Sequence, residues 1–219
     1  MSQLVTKPKR PRKRREGLGP PREIQVAVRR KSLLDAAIAV IARSGLSGIT
    51  IQAIADEAEC SYGVVSYQFQ SKDGIILAAF DQMVEEYEST IATFEQSGAS
   101  PADRIRAIVE SDFEGTVASV HHIAVWASFW AESIRSPSYR QRCSELKHRY
   151  NSRAETHIDA LAKERSMVLN AERVARSLNA MIDGFWISNM ITGNTDEAGQ
   201  TSARNDCFAY LHAIFPADF

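Results

Sequence analysis

The chain has 219 residues, of which 44% are hydrophobic and 24% are charged, and its formal net charge is −1 at pH 7. This composition is ordinary for a globular protein, and no apolar run approaches the roughly 18 residues of a membrane span. No apolar segment follows the basic N-terminus, so we expect no secretory signal. The three cysteines lack metal-like spacing, and we expect reduced thiols in a cytoplasmic protein without membrane contact.

The small net charge hides an uneven distribution of charged residues. Residues 1–31 contain eleven Lys or Arg but only two acidic residues, so this segment carries +9 and the rest of the chain −10. Residues 1–22 have too little apolar surface to order alone, and we predict a flexible basic arm there. Such an arm suits contact with DNA phosphates, whereas the acidic remainder should face away from DNA. Other interpretations of the arm are a solubilising tail, a remnant of cloning or a nuclear address.

Helical periodicity begins after the arm. The first predicted helix covers residues 24–43, with Leu34, Ile38 and Ile41 on one face and Gly45 as its C-cap. Two short helices follow, and their apolar residues also recur at helical spacing. These residues are Ile51, Ile54, Ala55 and Ala58 in the first, and Val64, Val65 and Phe69 in the second.

The link between the two short helices is brief. Thr50 and Ser61 stand at their N-cap positions, and only Glu59 and Cys60 lie between the helices. Helices joined so tightly cannot lie antiparallel and must cross steeply. The sequence therefore predicts a helix-turn-helix, whose second helix can enter the major groove of DNA.

Caps, prolines and apolar stripes divide the rest of the chain into six further helices. They are predicted at residues 72–96 after Ser71, from Pro101 after Ser100, at 122–134, at 138–165 after Pro137, at 171–191 after Asn170, and from a Thr195 cap to before Pro216. No segment sustains a period-two alternation, so the predicted fold class is all-α. We expect an N-terminal three-helix head over residues 23–71 and a C-terminal bundle over residues 72–219.

The predicted recognition helix covers residues 61–69. Its apolar stripe faces the protein, which leaves the other side chains for DNA. Gln68 can pair with adenine through two hydrogen bonds, and Gly63 permits close approach of the backbone. Lys72, at the start of the next helix, is placed for phosphate contact. The predicted DNA-contact residues are Thr50, Ser61, Tyr62, Gly63, Ser66, Tyr67, Gln68 and Lys72.

Aromatic residues and one acid predict a ligand site in the bundle. Trp126 and Trp130 share a helix face beside Phe129, and Asp183 and Trp186 lie three residues apart on another helix. Aromatic faces with a carboxylate suit a quaternary ammonium, which is held by cation–π attraction. The alternative for these rings is plain core packing, and the acid can instead pair with a buried Arg or hydroxyl. Weaker candidates are Glu132, Tyr139 and Tyr150.

Enzyme chemistry is not indicated by any pattern in the sequence. His121, His122 and His148 lack nearby Cys or acidic residues at metal-ligand spacing. There is no phosphate-binding loop and no G-x-S-x-G turn. We therefore expect no catalytic residues, cofactor or metal.

Several of these residues resemble the N-terminal signature of TetR-family transcriptional regulators. The matching positions are Gly45, Thr50, Ile54-Ala55, Ala58, Ser61, Gly63, Phe69 and Ser71-Lys72. Two segments, 124–131 and 181–186, look like the BetI type, repressors that answer to choline. Glu59 stands where the family usually has Gly in the turn, a position that often needs a positive φ. Ser66 stands where the family commonly has Tyr.

The resemblance implies a homodimer released from operator DNA by a small effector. The helix over residues 171–191 is apolar nearly all round, so one side should face its own bundle and the other a second copy. A two-fold dimer spaces two recognition helices about one DNA turn apart, which predicts a palindromic operator. Rival interpretations are a regulator of another effector, such as a polyamine or an apolar acid, an architectural DNA binder without ligand, and a helical enzyme.

Overall fold

The computed structural model describes residues 22–96, 100–115 and 117–219. Over these residues the chain forms nine α-helices and no strand, which confirms the predicted all-α class. The helices are α1 (Arg22–Gly48), α2 (Ile51–Glu57), α3 (Tyr62–Phe69), α4 (Lys72–Gln96), α5 (Pro101–Asp112), α6 (Val120–Ser133), α7 (Pro137–Glu164), α8 (Ala171–Thr192) and α9 (Glu197–Ile214). None of the helices in the described ranges combines the length and the apolarity of a membrane span. Residues 1–21 of the predicted basic arm lie outside the described residues.

Helix α1 extends beyond both predicted ends. Its helical geometry is interrupted at Gly45, where φ is 65° and ψ is 178°. A positive φ of this kind favours glycine, which explains why the predicted C-cap glycine lies at this kink. One further turn then leads to Thr50, whose hydroxyl oxygen accepts a hydrogen bond from the Ala53 amide at 3.0 Å. Thr50 is thus the N-cap of α2, as predicted.

The turn between α2 and α3 depends on a non-glycine residue with positive φ. Glu59 has a φ of 50°. A positive φ favours glycine, which is the residue that the resembled family usually has at this position. The Cys60 amide donates to the Ala55 carbonyl at 2.9 Å and closes the turn. Ser61 occupies the N-cap position of α3, but its side chain makes no capping hydrogen bond. Its hydroxyl therefore plays no part in starting the helix.

All the remaining helices except α7 begin at residues whose side chains cap them, whereas the Ser136 side chain before α7 makes no capping hydrogen bond. The Ser71 hydroxyl accepts from the Gly74 amide at 3.0 Å, and Ser100 and Asp103 form a reciprocal capping box at α5. The predicted cap of the last helix was wrong by one residue. Asp196, not Thr195, begins α9, because its carboxylate accepts from the Gly199 amide at 2.9 Å.

Helix α4 joins the DNA-binding head to the bundle. Its apolar residues pack against α1 on one side and α5 on the other, while α1 also packs against α6. The Phe80 ring lies 4.7 Å from the Phe129 ring and 5.6 Å from the Trp126 ring, both on α6. The head is therefore held to the bundle by apolar contacts of two helices.

Ion pairs connect α4 to α7 across an open groove of about 690 Å³. Three acidic residues at seven-residue spacing on α4 each face a basic residue of α7. The pairs are Asp81 with Arg142, Glu88 with Arg149 at 3.4 Å, and Glu95 with His157 at 3.0 Å. Four of these side chains line the groove, namely Asp81, Glu88, Arg142 and Arg149. Contact along this groove is thus largely electrostatic, whereas the Tyr87 and Tyr150 rings pack together elsewhere between the two helices.

Candidate DNA-binding surface and ligand pocket

Helix α3 exposes one face and buries the other. Val65 and Phe69 are buried, whereas Tyr67 is 88% exposed and Tyr62 is 53% exposed. The two tyrosines thus present ring and hydroxyl surface on the outer face of α3, where they can reach bases or phosphates. Six of the predicted DNA-contact residues are exposed, namely Thr50, Ser61, Tyr62, Gly63, Tyr67 and Lys72. The other two, Ser66 and Gln68, are half-buried.

Two features define the shape of this surface. The Arg30 guanidinium lies over the Phe69 ring, 4.7 Å from its centroid, and so ties α1 to the end of α3. A Cβ placed on Gly63 would meet only the Ser61 hydroxyl, at 3.9 Å. Packing within the protein therefore does not require glycine at position 63. Glycine instead leaves the outer side of α3 without a side chain at this position, so another molecule can approach the backbone closely.

A small, partly open cavity of about 20 Å³ lies within the bundle. Four of the five predicted ligand residues converge on it from α6 and α8: Trp126, Trp130, Asp183 and Trp186. A cavity of this volume holds about one water molecule. The sequence-predicted residues thus share one site, and that site must widen before it can hold an organic ligand.

Three other predicted residues do not line the cavity. Phe129 is only 1% exposed and packs between Phe80 and Tyr139, so it is a core residue and not a ligand contact. Tyr139 stacks on Phe129 at 5.8 Å and likewise belongs to the core. Glu132 lies on α6 away from the cavity, whereas Tyr150 lines it. The position of Phe129 thus favours the plain-packing alternative for this residue.

Lys147 is a residue of the cavity that the sequence analysis missed. Its ammonium donates a hydrogen bond to the Asp183 carboxylate and lies over the Trp130 ring, 5.1 Å from the centroid. The partner of Asp183 in the structure is thus a lysine, whereas the sequence analysis considered an arginine or a hydroxyl. A helical stripe of α7 could have revealed it, because Cys143, Lys147 and Tyr150 are spaced four and three residues apart.

A second carboxylate, Asp112, lies fully buried at the end of α5. The Tyr87 hydroxyl donates a hydrogen bond to its side chain, and the Trp186 indole N–H donates to its backbone carbonyl at 2.9 Å. Burial raises the pKa of Asp112 to about 7, although the Tyr87 hydrogen bond opposes this and the Asp183 charge adds to it. Burial also raises the pKa of Asp183, which the Lys147 charge opposes.

One polar atom of the cavity has no partner. The Tyr150 hydroxyl is buried without a hydrogen bond, and its ring lies 4.7 Å from the Tyr87 ring. A buried hydroxyl left unpaired costs roughly 1–3 kcal/mol. The cavity thus combines three indole rings, two carboxylates, one ammonium and a free hydroxyl. Such a set can hold a cation with an apolar surface and one hydrogen-bonding group.

A helix-turn-helix with an exposed second helix, joined through α4 to a helical bundle with an aromatic pocket, defines a DNA-binding transcriptional regulator. Residues 33–79 match the family of bacterial regulatory proteins called tetR, and residues 101–216 match the C-terminal part of the BetI-type transcriptional repressors. The chain belongs to the TetR family, in the group with a BetI-type C-terminal part. Members of this family are transcriptional regulators and not enzymes, as the sequence predicted.

Curated relatives of this chain are similar over most of their length. The HTH-type transcriptional regulator BetI of Paraburkholderia phymatum is 35% identical over 169 residues, which cover 76% of this chain and 84% of the relative. The protein of the same name from Stenotrophomonas maltophilia is 30% identical over 188 residues, covering 84% and 91% of the two chains. This similarity spans both the DNA-binding head and the bundle.

Solved structures share the fold. A transcriptional regulator from Pseudomonas aeruginosa PAO1 superposes with a TM-score of 0.77 at 20% identity, covering 88% of this chain and 92% of the other. A regulator from Saccharomonospora viridis, solved in complex with choline, superposes with a TM-score of 0.75 at 24% identity, covering 85% and 96%.

Proposed function

We propose that this regulator binds a palindromic operator as a homodimer and releases it when choline or a related quaternary amine occupies the pocket. One observation carries the ligand assignment: three indole rings and the Asp183 carboxylate converge on a single cavity. A quaternary ammonium offers no N–H donors, so ring faces and a nearby negative charge are the groups that can hold it. The choline bound to the Saccharomonospora viridis regulator of the same fold supports this assignment.

DNA binding is assigned to the outer face of α3 and the helix starts beside it. Tyr62, Tyr67 and Gln68 would contact base edges or phosphates, and Lys72 would contact phosphate. Thr50 would contribute mainly through backbone, because its hydroxyl already caps α2. In this proposal residues 23–71 form the DNA-binding unit and residues 72–219 the ligand-binding and dimerisation unit. The protein would act in the cytoplasm, where its operator is.

Helix α4 provides the connection between the pocket and DNA. Lys72 at its start lies beside α3, and Tyr87 further along lines the pocket. A ligand that widens the cavity must displace Tyr87 or the helices beside it, and α4 carries this displacement to the head. The ligand then shifts the population toward a conformation with lower DNA affinity, to the extent that it binds this conformation better.

Dimerisation is assigned to α8 and α9. One face of α8 is buried in its own bundle through Leu178, Ile182 and Trp186. The opposite face is exposed and consists of small residues and one large apolar residue. These residues are Ala180, Gly184, Ser188 and Ile191. Small side chains allow a second helix to approach closely, so this face would meet its counterpart on a second copy around a two-fold axis.

The test is operator affinity measured with and without choline at fixed salt. Choline should lower the affinity of the wild-type protein, and Trp130→Ala and Asp183→Asn should abolish this response while leaving DNA binding without choline intact. Glu132→Gln is the matched control, because Glu132 lies on the same helix as Trp130 but outside the cavity. Equal operator affinity with and without choline in the wild type would refute the proposal.

A diamine such as putrescine is the second candidate effector. The observation that favours it is the presence of two carboxylates, Asp112 and Asp183, in one cavity. A dication would use both acids, whereas choline needs only one. Asp112→Asn should therefore weaken putrescine binding strongly and choline binding little.

A further inference from the structure

Lys147 holds the position that a bound cation would take. Its ammonium forms an ion pair with Asp183 and lies over the Trp130 ring, 5.1 Å from the centroid. A carboxylate and an indole face are the two groups proposed to recognise the effector. The remaining cavity volume is about 20 Å³, which is too small for a trimethylammonium group beside the lysine.

We propose that Lys147 is an internal occupant of the effector site, which the effector must displace in order to bind. This inference rests on the proposed function, because it takes the cation site of the pocket as the effector site. Lys147 thereby sets both the affinity and the charge selectivity of the regulator. It belongs to this chain and competes at a constant effective concentration, so it weakens the apparent affinity for the effector by a constant factor.

The surroundings of Lys147 allow the displacement. Its side chain is 34% exposed and that of Asp183 is 31% exposed, so the ammonium already has a route to water. Lysine has a flexible four-carbon stem and a strongly hydrated charge, both of which favour its movement into solvent. The departing ammonium would also vacate space inside the cavity.

The exchange selects for charge. Once Lys147 leaves, the Asp183 carboxylate faces the low-dielectric cavity without a partner, and a neutral ligand of the same shape would leave it so. A cationic ligand restores both the ion pair and the contact with the Trp130 ring. The effector is therefore a cation whose apolar surface fits the indole rings, and its neutral isostere is rejected.

The experiment is calorimetric titration of the full-length protein with choline chloride at constant ionic strength. Lys147→Met keeps the apolar stem but removes the competing charge, so choline should bind about tenfold more tightly than to the wild type, the size expected for losing one partly exposed ion pair and one cation–π contact. Lys147→Arg retains a charge that can pair with Asp183 and should bind choline no more tightly than the wild type. The neutral isostere of choline, 3,3-dimethyl-1-butanol, should bind neither to the wild type nor to Lys147→Met.

Lys163→Met is the matched control, because Lys163 lies on the same helix and pairs with Asp159 on the surface. It should leave choline affinity unchanged. If Lys147→Met does not fold, as judged by circular dichroism, Lys147→Gln replaces it with a group that can still donate to Asp183. Choline binding that is equal or weaker in the charge-removing variant overturns this inference alone. Failure of the wild type and all variants to bind choline overturns the proposed function as well.

Discussion

The Tyr87 hydroxyl on α4 donates a hydrogen bond to the buried carboxylate of Asp112 at the end of α5. The helix that starts beside the recognition helix is thereby bonded to a group of the pocket wall. Both residues line the cavity. A change in the cavity therefore reaches α4 through a polar contact as well as through packing.

Removing this hydroxyl should uncouple the two sites. In Tyr87→Phe the ring stays in place, but Asp112 loses its donor, and stability should fall by roughly 1–3 kcal/mol. Choline should still bind, whereas the ratio of operator affinities without and with choline should move toward one. The measurement is operator binding at saturating choline. An unchanged ratio would show that packing alone transmits the signal.

The contribution of Asp112 to the stability of the free protein should decrease as the pH rises from about 4 to about 7. The pKa of Asp112 is about 7 in the folded protein, whereas its ordinary value is 3.8. Between these pH values the folded state therefore keeps a proton that the unfolded state has lost. This contribution is fully present below pH 4 and is lost as the pH rises through 7, an effect of at most about 4 kcal/mol. Thermal unfolding at several pH values tests this, and Asp112→Asn should flatten the profile.

Other titratable groups around Asp112 do not reverse this trend. Those facing it are Tyr87, Tyr150, Lys147, Asp183 and Cys207. Burial raises the pKa of both tyrosines and raises that of Cys207 to about 12, so all three stay neutral. The raised pKa of Asp183 acts in the same direction as that of Asp112. Burial lowers the pKa of His122, which acts in the opposite direction, so the wild type is compared with Asp112→Asn. A wild-type profile that does not fall relative to that of Asp112→Asn would contradict the assignment.

Gly63→Ala should separate DNA affinity from stability. An added methyl group meets only the Ser61 hydroxyl within the protein, and alanine favours the helix, so stability should be unchanged or rise by up to about 1 kcal/mol. The methyl group would stand on the face of α3 that approaches DNA, and operator affinity should fall. Fluorescence anisotropy with labelled operator tests this. Wild-type affinity would mean that DNA does not approach α3 closely at this position.

Gly184→Glu should prevent dimerisation without unfolding the subunit. A Cβ on Gly184 meets nothing within 4 Å among the described residues of the chain, so the substitution should be tolerated there. In the proposed dimer two glutamates would face each other across the two-fold axis. Analytical ultracentrifugation should show a monomer with native helicity. Ser144→Glu, at an exposed position of α7, is the control and should remain dimeric.

Glu59→Gly should stabilise the protein. Glu59 has a φ of 50°, and a residue with a Cβ in this region costs roughly 1–2 kcal/mol relative to glycine. Part of this gain is offset because glycine makes the unfolded chain more flexible. We expect a net increase of up to about 1 kcal/mol in the free energy of unfolding. Glu59→Ala, which keeps the Cβ, should show no such increase by chemical denaturation.

Local signals predicted the fold well. Thr50, Ser71, Ser100 and Asn170 cap helices because each places a side-chain oxygen near free amides at a helix start. Such signals act within a few residues, so the sequence contains them directly. The error at α9 has the same origin, because Thr195 and Asp196 are adjacent and both can cap.

The pocket was only partly predictable. Trp126, Trp130, Asp183 and Trp186 were found because aromatic residues and an acid on apolar helices stand out. Lys147 and Asp112 were missed, since a lysine on a polar helix and an aspartate at a helix end look like solvated surface groups. Only the packing of α7 against α5 and α8 brings them inside. Phe129 shows the opposite error, because helical spacing does not distinguish the core side of a helix from the cavity side.

The ion pairs across the α4–α7 groove bear on how easily the protein changes conformation. Interlocked apolar side chains permit few relative positions of two helices, whereas the exposed pairs Asp81–Arg142 and Glu88–Arg149 can re-form at new positions, and each contributes only about 0–1 kcal/mol. Movement of α4 relative to α7 along the groove therefore disturbs little apolar contact there, and the rings of Tyr87 and Tyr150 are the apolar contact that must adjust. The exposed ion pairs therefore add little to the energy gap between two arrangements of these helices. Less differential binding energy is then needed from a ligand that favours one arrangement.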